Sequence, residues 1–562
     1  DFEGIQLDYQ FSQYQHDNDN SRIQRIVKDA GYPTADGSES GGDIQDFSLI
    51  IGGNFDNGRG NVTAYATYRD VEAVLQAERD YSSCALNNDA TGCFGSSTIP
   101  EGRVTDFGIQ DGFDFKVAGT DFVPRDGTTY NYGPLNYYQR PDERYTAGAF
   151  GRYQINEHVE GYTELMFMDD RSVSQIAPSG AFFITNTLPC GNPLLSDQQF
   201  EQLCGQFGHD EDYVQLAYLG RRNVEGGPRQ NDLRHTSFRG VFGLRGDIND
   251  TWRYDFYGMY SEVSQEETYL NDLGISKVKN ALDAVEDEDG NIVCRSVING
   301  TDPNCVPWNI FDSNGVTQEQ TDYLALPLFA RGETTQKVFS GYLAASLGDY
   351  GIQLPTADTG IEVAFGAEYR KEELRYNPDS GFQNGEGAGQ GGATGPVSGS
   401  YDVTEFFVEA SIPLINGKAF AEELTLDLGY RYSDYSTDQE TDTYGIRAGW
   451  AITNGIKLRG SYQRAIRAAN IQELFLPQGF NLFDMAADPC GGPTPERSLA
   501  ECQRSGVTPD QYGRISNSPA GQYNFLQGGN PDLEPEEADT YSFGVVWTPE
   551  FVEGLSLTLD WY

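Results

Sequence analysis

The strongest constraint on this chain is a period-two alternation of apolar and polar residues in segments of about ten to fifteen residues. Over 423–436, Leu424, Leu426, Leu428, Tyr430 and Tyr432 alternate with Thr425, Asp427, Gly429, Arg431 and Ser433. Over 443–452, Tyr444, Ile446, Ala448, Trp450 and Ile452 alternate with Thr443, Gly445, Arg447 and Gly449. A turn-forming Asn454-Gly455 follows, then Ile456, Leu458, Gly460 and Tyr462 against Lys457, Arg459, Ser461 and Gln463. The dyad recurs at 361–370 and 555–562. Successive strand side chains point to opposite faces, so each segment has one apolar and one polar face.

Such strands exceed the usual length of about 5–6 residues. Apolar runs such as Leu165–Met168 are only about four long, far short of the ~18–20 residues of a spanning helix. Thirty-four Tyr and thirty-two Phe argue against disorder. The pattern predicts an all-β fold, a transmembrane antiparallel β-barrel with its apolar face in lipid and its polar face on the lumen. About fifteen spanning strands are expected: 4–14, 43–55, 61–69, 144–154, 159–174, 233–247, 252–266, 334–347, 361–376, 401–412, 423–436, 441–452, 456–465, 538–547 and 555–562. The run 213–224 also reads as strand, but up-and-down parity puts it in a loop. Single-chain bacterial barrels have even strand numbers, and Tyr562 falls in mid-strand. The expectation for 1–562 is therefore one partial barrel domain.

Short connections (56–60, 155–158, 248–251, 349–359, 413–422, 453–455 and 548–554) alternate with long ones (15–42, 70–143, 176–231, 268–333, 377–400 and 466–537) and a shorter 437–440. Outer-membrane barrels have short periplasmic turns and long extracellular loops. All eight Cys lie in the long set, as local pairs Cys84/Cys93, Cys190/Cys204, Cys294/Cys305 and Cys490/Cys502. Each pair falls in a polar stretch between regular segments, expected to have no core of its own. None forms a C-x-x-C unit, and eight Cys permit about 105 connectivities. Sequential pairing is the simplest, giving disulfide-braced loops in an oxidising compartment. The formal charge is −47. Much of it sits in the loops, and it argues against a nucleic-acid partner. The N-terminus, Asp1-Phe2-Glu3-Gly4-Ile5, shows no signal peptide.

Three stretches carry a family likeness. They are Asp1–Tyr9, Ser461–Phe475 (SYQRAIRAANIQELF, with Ala469 where the family has Pro) and Gly529–Glu536 (GNPDLEPE). Gly220–Gly227 is a weaker match. The chain resembles a TonB-dependent outer-membrane receptor of the type found in Caulobacter- and sphingomonad-like bacteria. The resemblance implies a barrel of about 22 strands, a plug domain and TonB box absent from this chain, and roughly seven further strands. It also implies TonB as partner, an outer-membrane setting with lipid and lipopolysaccharide around the barrel, and energised uptake of a scarce nutrient: an iron chelate, saccharide, cobalamin or peptide.

Catalytic and cofactor motifs are missing. His16, His158, His209 and His235 lie far apart, and Gly37–Gly41 has Glu where a nucleophile elbow needs Ser. Asp287–Asn291 resembles a calcium loop, but Val285 and Ser296 stand where EF-hand ligands belong. It reads as an acidic turn. Gly385–Gly395 has no P-loop Lys and reads as a flexible outer loop. No metal, cofactor or catalytic residue is therefore assigned.

Arg464 and Arg467 have two readings: rim anchors to the Asp532/Glu534/Glu536 segment, or direct contacts to an anionic or hydroxylated ligand. Arg370, Arg431, Arg447, Lys457 and Arg459 are expected to face the lumen, pairing with Asp427, Glu368 and Glu362 or lining a path. Tyr130, Tyr132, Tyr137 and Tyr138 are candidates for stacking on a sugar or flat ligand, while most aromatics belong to an interface girdle. A passive porin, a secretion barrel and an adhesive surface protein remain as alternatives. The negative charge disfavours a strongly anionic ligand unless arginines dominate locally.

Overall fold

The computed structural model describes residues 2–87, 89–516, 518 and 521–562. Fifteen strands form one antiparallel sheet in which each pairs with its neighbours in sequence. They are β1 Gly4–Asn18, β2 Gly37–Phe55, β3 Gly60–Val71, β4 Asp142–Asn156, β5 Val159–Pro178, β6 Pro228–Asp247, β7 Trp252–Leu273, β8 Ala325–Ser346, β9 Glu362–Pro378, β10 Val397–Lys418, β11 Ala421–Tyr435, β12 Gln439–Thr453, β13 Ile456–Arg467, β14 Glu536–Trp547 and β15 Leu557–Trp561. The fifteen expected strands are all present, and 213–224 belongs to a loop. Among the described residues β1 and β15 do not pair with each other, so each has a free edge.

Register carries the alternation across the whole sheet. Leu7 lies opposite Leu49, Phe167 opposite Phe238, Phe339 opposite both Gly258 and Tyr369, and Ile446 opposite both Leu428 and Tyr462. This outward apolar face is open to the surroundings: Phe339 is 64% exposed. Such a surface suits hydrocarbon, where backbone groups are satisfied between strands. Glycines let rings lie flat across neighbouring strands. A Cβ at Gly341 would collide with the Phe256 ring, and one at Gly243 with Tyr162.

Several strands are longer than the alternation indicated. β7, β8 and β10 each have 22 residues, against the ~9–11 that cross a bilayer. Their outer ends therefore stand clear of it. Outward charges pair there, including Arg234–Asp169 at 2.9 Å and Lys371–Glu373 at 2.8 Å. The connection expected over 413–422 is a two-residue turn, Ala419-Phe420, with Phe420 at φ 62°. β13 continues through Arg467, which was expected in the following loop.

All four disulfides pair as expected, with Cα–Cα separations of 5.8–6.1 Å. The expectation that each braces a loop without a core needs correction. Connections 72–141, 179–227 and 274–324 fold together into one cap. Its five-stranded sheet takes strands from the first two. Trp308, Phe311, Phe122, Leu203 and Leu219 fill its core, together with Cys190–Cys204 and Cys294–Cys305. Each segment alone is too polar to bury a core; together they hide enough apolar area to be stable. Cys84–Cys93 packs separately, against Ile23 and Val27 of a helix in the first connection.

The fourth disulfide, Cys490–Cys502, lies in the last long connection and corrects the same expectation in another way. Cys502 is not in irregular loop: it is the last residue of a short helix, Leu499–Cys502, and only 1% of it is exposed. The helix forms because Ser498 caps it. The Ser498 N–H and hydroxyl both donate to Glu501 Oε2, at 3.0 and 2.7 Å, which settles the first turn. Cys502 N then donates to Ser498 O at 3.0 Å, and Val507 N to Cys502 O at 3.2 Å. Cys490, also buried, is tethered by its own N–H to Asp488 at 2.8 Å. The bridge therefore joins a turn to a helix end.

Candidate functional site

The two strongest motif stretches meet at the outer rim. Asn470 caps the helix Ile471–Phe475: its Oδ1 accepts from Glu473 N at 2.9 Å, and Glu473 Oε2 accepts from Asn470 N at 2.8 Å. This reciprocal pair satisfies two otherwise unpaired donors. Arg467 then donates to Glu473 at 2.7 Å and to Glu536 at 2.9 Å, tying β13, the helix and β14 together. The backbone completes the seam, with Gly529 N to Leu476 O at 2.7 Å and Asn530 N to Glu473 O at 2.8 Å.

Arg467 thus has a rim anchor in Glu536, while Asp532 and Glu534 are not its partners. Arg464 shares the outward parity of Tyr462 and pairs with Glu537. The five basic residues expected on the lumenal side have that parity, but their partners differ. Arg431 pairs with Glu405 at 3.3 Å, Arg370 with Glu372 at 3.5 Å and Arg459 with Asp560 at 2.6 Å. Asp427 accepts from Ser411 instead.

A cavity of about 540 Å³ lies at the outer end of the lumenal face. His235 of β6, Gln265 and Glu267 of β7, Thr334 of β8 and Tyr376 of β9 form its wall, all on lumenal parity. Gln472, Gln478, Phe480 and Gln527 of the last long connection close one side. Residues 390–395 cross above it as a strap. Gln265, Gln390, Gln472, Gln478 and Gln527 would have been hard to find, because lone amides carry no spacing signal. Only Gln472 falls within a motif.

The four loop tyrosines lie in the cap connection 72–141, and none lines this cavity. Tyr138 meets Tyr81 edge-on at 5.6 Å, and Tyr137 sits in a short pairing with Val74–Leu75. Tyr132 is exposed. Tyr130 stacks against Arg222, whose guanidinium also lies 4.8 Å from the Phe182 ring. Arg222 is buried without a carboxylate partner among the described residues. Burial, reinforced by nearby Arg229, lowers its pKa to about 10. Burial also raises the Tyr130 phenol, and the Arg222 charge opposes that shift. Asp106 behaves differently. Burial alone would raise it, yet the backbone N–H groups of Gly112, Gly108, Gln110 and Asp111 outweigh burial and hold it below the ordinary range.

The glycine-rich segment was expected to be free; contacts tie it down. Gly389 N donates to Asp272 at 3.0 Å, Arg229 Nη1 donates to Gly389 O at 3.0 Å, and Ala388 N donates to Leu273 O at 2.9 Å. At its far end, a Cβ at Gly391 would collide with Leu482, while one at Gly395 would only touch Pro477. Small residues let it thread between the cap and the hairpin Gly479–Asp484/Gln522–Gln527. The acidic turn reading holds at Asp287, whose carboxylate accepts from Asp289 N and Asn291 N in a tight turn.

Residues 192–562 match the family described as "TonB dependent receptor-like, beta-barrel". The chain belongs to that family. A 128-residue stretch is 26% identical to the Heme/hemopexin utilization protein C of Haemophilus influenzae, covering 21% of this chain and 16% of that protein. Among solved structures, it is similar to a mutant of the ferric enterobactin receptor PfeA of Pseudomonas aeruginosa (12% identity, TM-score 0.48, 99% of this chain and 52% of that one). It is also similar to the siderophore receptor PirA of Acinetobacter baumannii (11%, TM-score 0.46, 100% and 52%). The chain spans about half the length of these structures. The TonB-dependent receptor barrel is an outer-membrane structure, so the long connections and the cap face outward. The family is one of receptors and transporters rather than enzymes. No helix among the described residues is long and apolar enough to cross a membrane.

Proposed function

We propose that this barrel belongs to a receptor that binds a scarce nutrient in the outer cavity and imports it through TonB-driven movement of a plug. In this reading the chain carries no catalysis. The parent protein supplies a plug and about seven more strands, and its motifs are of the Caulobacter- and sphingomonad-like type. The free edges of β1 and β15 support further strands, because an unpaired edge in hydrocarbon leaves backbone groups unsatisfied. The cavity carries the reading furthest. It opens on the lumenal side, its walls are barrel strands, and its cover is loop, so a bound molecule sits at the entrance of the path. Lipid and lipopolysaccharide surround the outward face, where Arg171, Arg234, Arg331 and Lys371 stand above the apolar band.

Uptake of labelled nutrient by cells with and without TonB tests this. Uptake that requires both TonB and the inner-membrane proton gradient is expected. Uptake at equal rate without TonB would favour a passive porin.

A further inference from the structure

We propose that the cavity selects a neutral, hydroxyl-rich ligand, an oligosaccharide, rather than an anionic metal chelate. This rests on the reading of the cavity as the receptor's binding site, and goes beyond it in naming the ligand class. Seven amides line it. Gln383 donates to Pro378 O and Asn481 accepts from Leu482 N, while the side chains of Gln265, Gln390, Gln472, Gln478 and Gln527 make no hydrogen bond to any described protein group. An amide offers two donors and two acceptor lone pairs on one planar group, which matches a sugar hydroxyl that both donates and accepts.

No Lys or Arg lines the cavity. The nearby Arg234, Arg331 and Arg375 lie on the outward parity. Glu267 is spent on Asn231 at 2.8 Å and Tyr376 at 3.2 Å. An anionic ligand would meet this carboxylate, and Glu333 beside it, with no Lys or Arg to compensate. A wholly apolar ligand would leave five amides unpaired as it excluded water. Extended peptides are commonly held by strand addition at a free edge, whereas the wall strands β6–β9 are paired on both sides. The rings of Tyr376 and Phe480 offer apolar faces to a sugar ring. The volume lies within the range of about 300–1,000 Å³ usual for small-molecule sites.

The test measures equilibrium binding to the purified full-length receptor. The probes are a panel of neutral glucose, xylose, galactose and N-acetylglucosamine trisaccharides, a ferric tris-catecholate and a tripeptide. The wild type is compared with Gln390→Ala and Gln472→Ala, whose folding is checked by thermal unfolding. At least one trisaccharide is expected to bind saturably, with Kd raised tenfold or more in each variant and no saturable binding of the chelate. Chelate or tripeptide binding weakened by the same substitutions would overturn the ligand class while leaving the site in place. Trisaccharide binding unmoved by either substitution would overturn the site itself. Failure of every trisaccharide to bind overturns the proposal.

Discussion

The backbone N–H of Gly389 donates to both carboxylate oxygens of Asp272, at 3.0 and 3.2 Å. The same carboxylate takes the Ser179 hydroxyl and Leu273 N. One buried side chain thus joins the cap, strand β7 and the strap over the cavity. Removing it leaves three donors unsatisfied, a loss of about 2–3 kcal/mol for a buried charged acceptor. Asp272→Ala is expected to free the strap while leaving the sheet intact. Hydrogen exchange of a 385–395 peptide should accelerate at least tenfold, with β9 and β10 amides unchanged.

Arg467 ties the two motif stretches at an exposed site, so its contribution is local order rather than global stability. Arg467→Ala is expected to sensitise 476–528 to limited proteolysis, with thermal unfolding nearly unmoved. Arg467→Lys should restore only part of the resistance, because one ammonium cannot span Glu473 and Glu536 as the guanidinium fork does.

The shared core of the cap gives a sharper expectation. Trp308 is fully buried among Phe122, Phe311 and their neighbours. Trp308→Ala should destabilise the cap by about 3–5 kcal/mol. Cys190→Ser with Cys204→Ser, opening a 14-residue separation, should remove about 2–4 kcal/mol. Separate unfolding of cap and barrel on calorimetry checks both, with only the cap transition moving.

Asp106 sets a pH dependence. Its folded pKa lies below the ordinary 3.8, so the stability it contributes is fully present above that value. That contribution is lost as pH falls through the lower folded value. The cap melting temperature of the wild type is expected to fall more steeply below about pH 4 than that of Asp106→Asn. Parallel curves would contradict the assignment.

Much of the sheet was legible because a barrel strand is specified locally, by alternation and turn residues. All fifteen strands follow from that, and the four Cys pairs from their closeness in sequence. Arg464 was legible only as a residue near the outer rim; its place on the outward face comes from the strand register. The cap was not legible. Trp308 and Phe122 are separated by four barrel strands and a whole long connection, and nothing periodic links them. Cys502 is a smaller case: its pairing was legible, but the one-turn helix that carries it is too short for apolar periodicity to show. The strap escaped for the opposite reason. Glycine-rich composition describes a chain free to bend, while its tether, Asp272, lies more than a hundred residues earlier. The cavity gathers amides from several segments, each ordinary alone.

The opposed parity of neighbouring residues along each strand is what makes one face of the sheet lipid-facing and the other lumenal. No free cysteine exists among the described residues, so single spin labels can be placed cleanly at Ile446→Cys and Arg447→Cys on β12 in membranes. The label at 446 is expected to be relaxed by oxygen, which partitions into lipid, and the label at 447 by a water-soluble nickel chelate. Equal access of the nickel chelate to both would contradict a lipid-facing apolar surface, and with it the barrel on which the receptor reading stands.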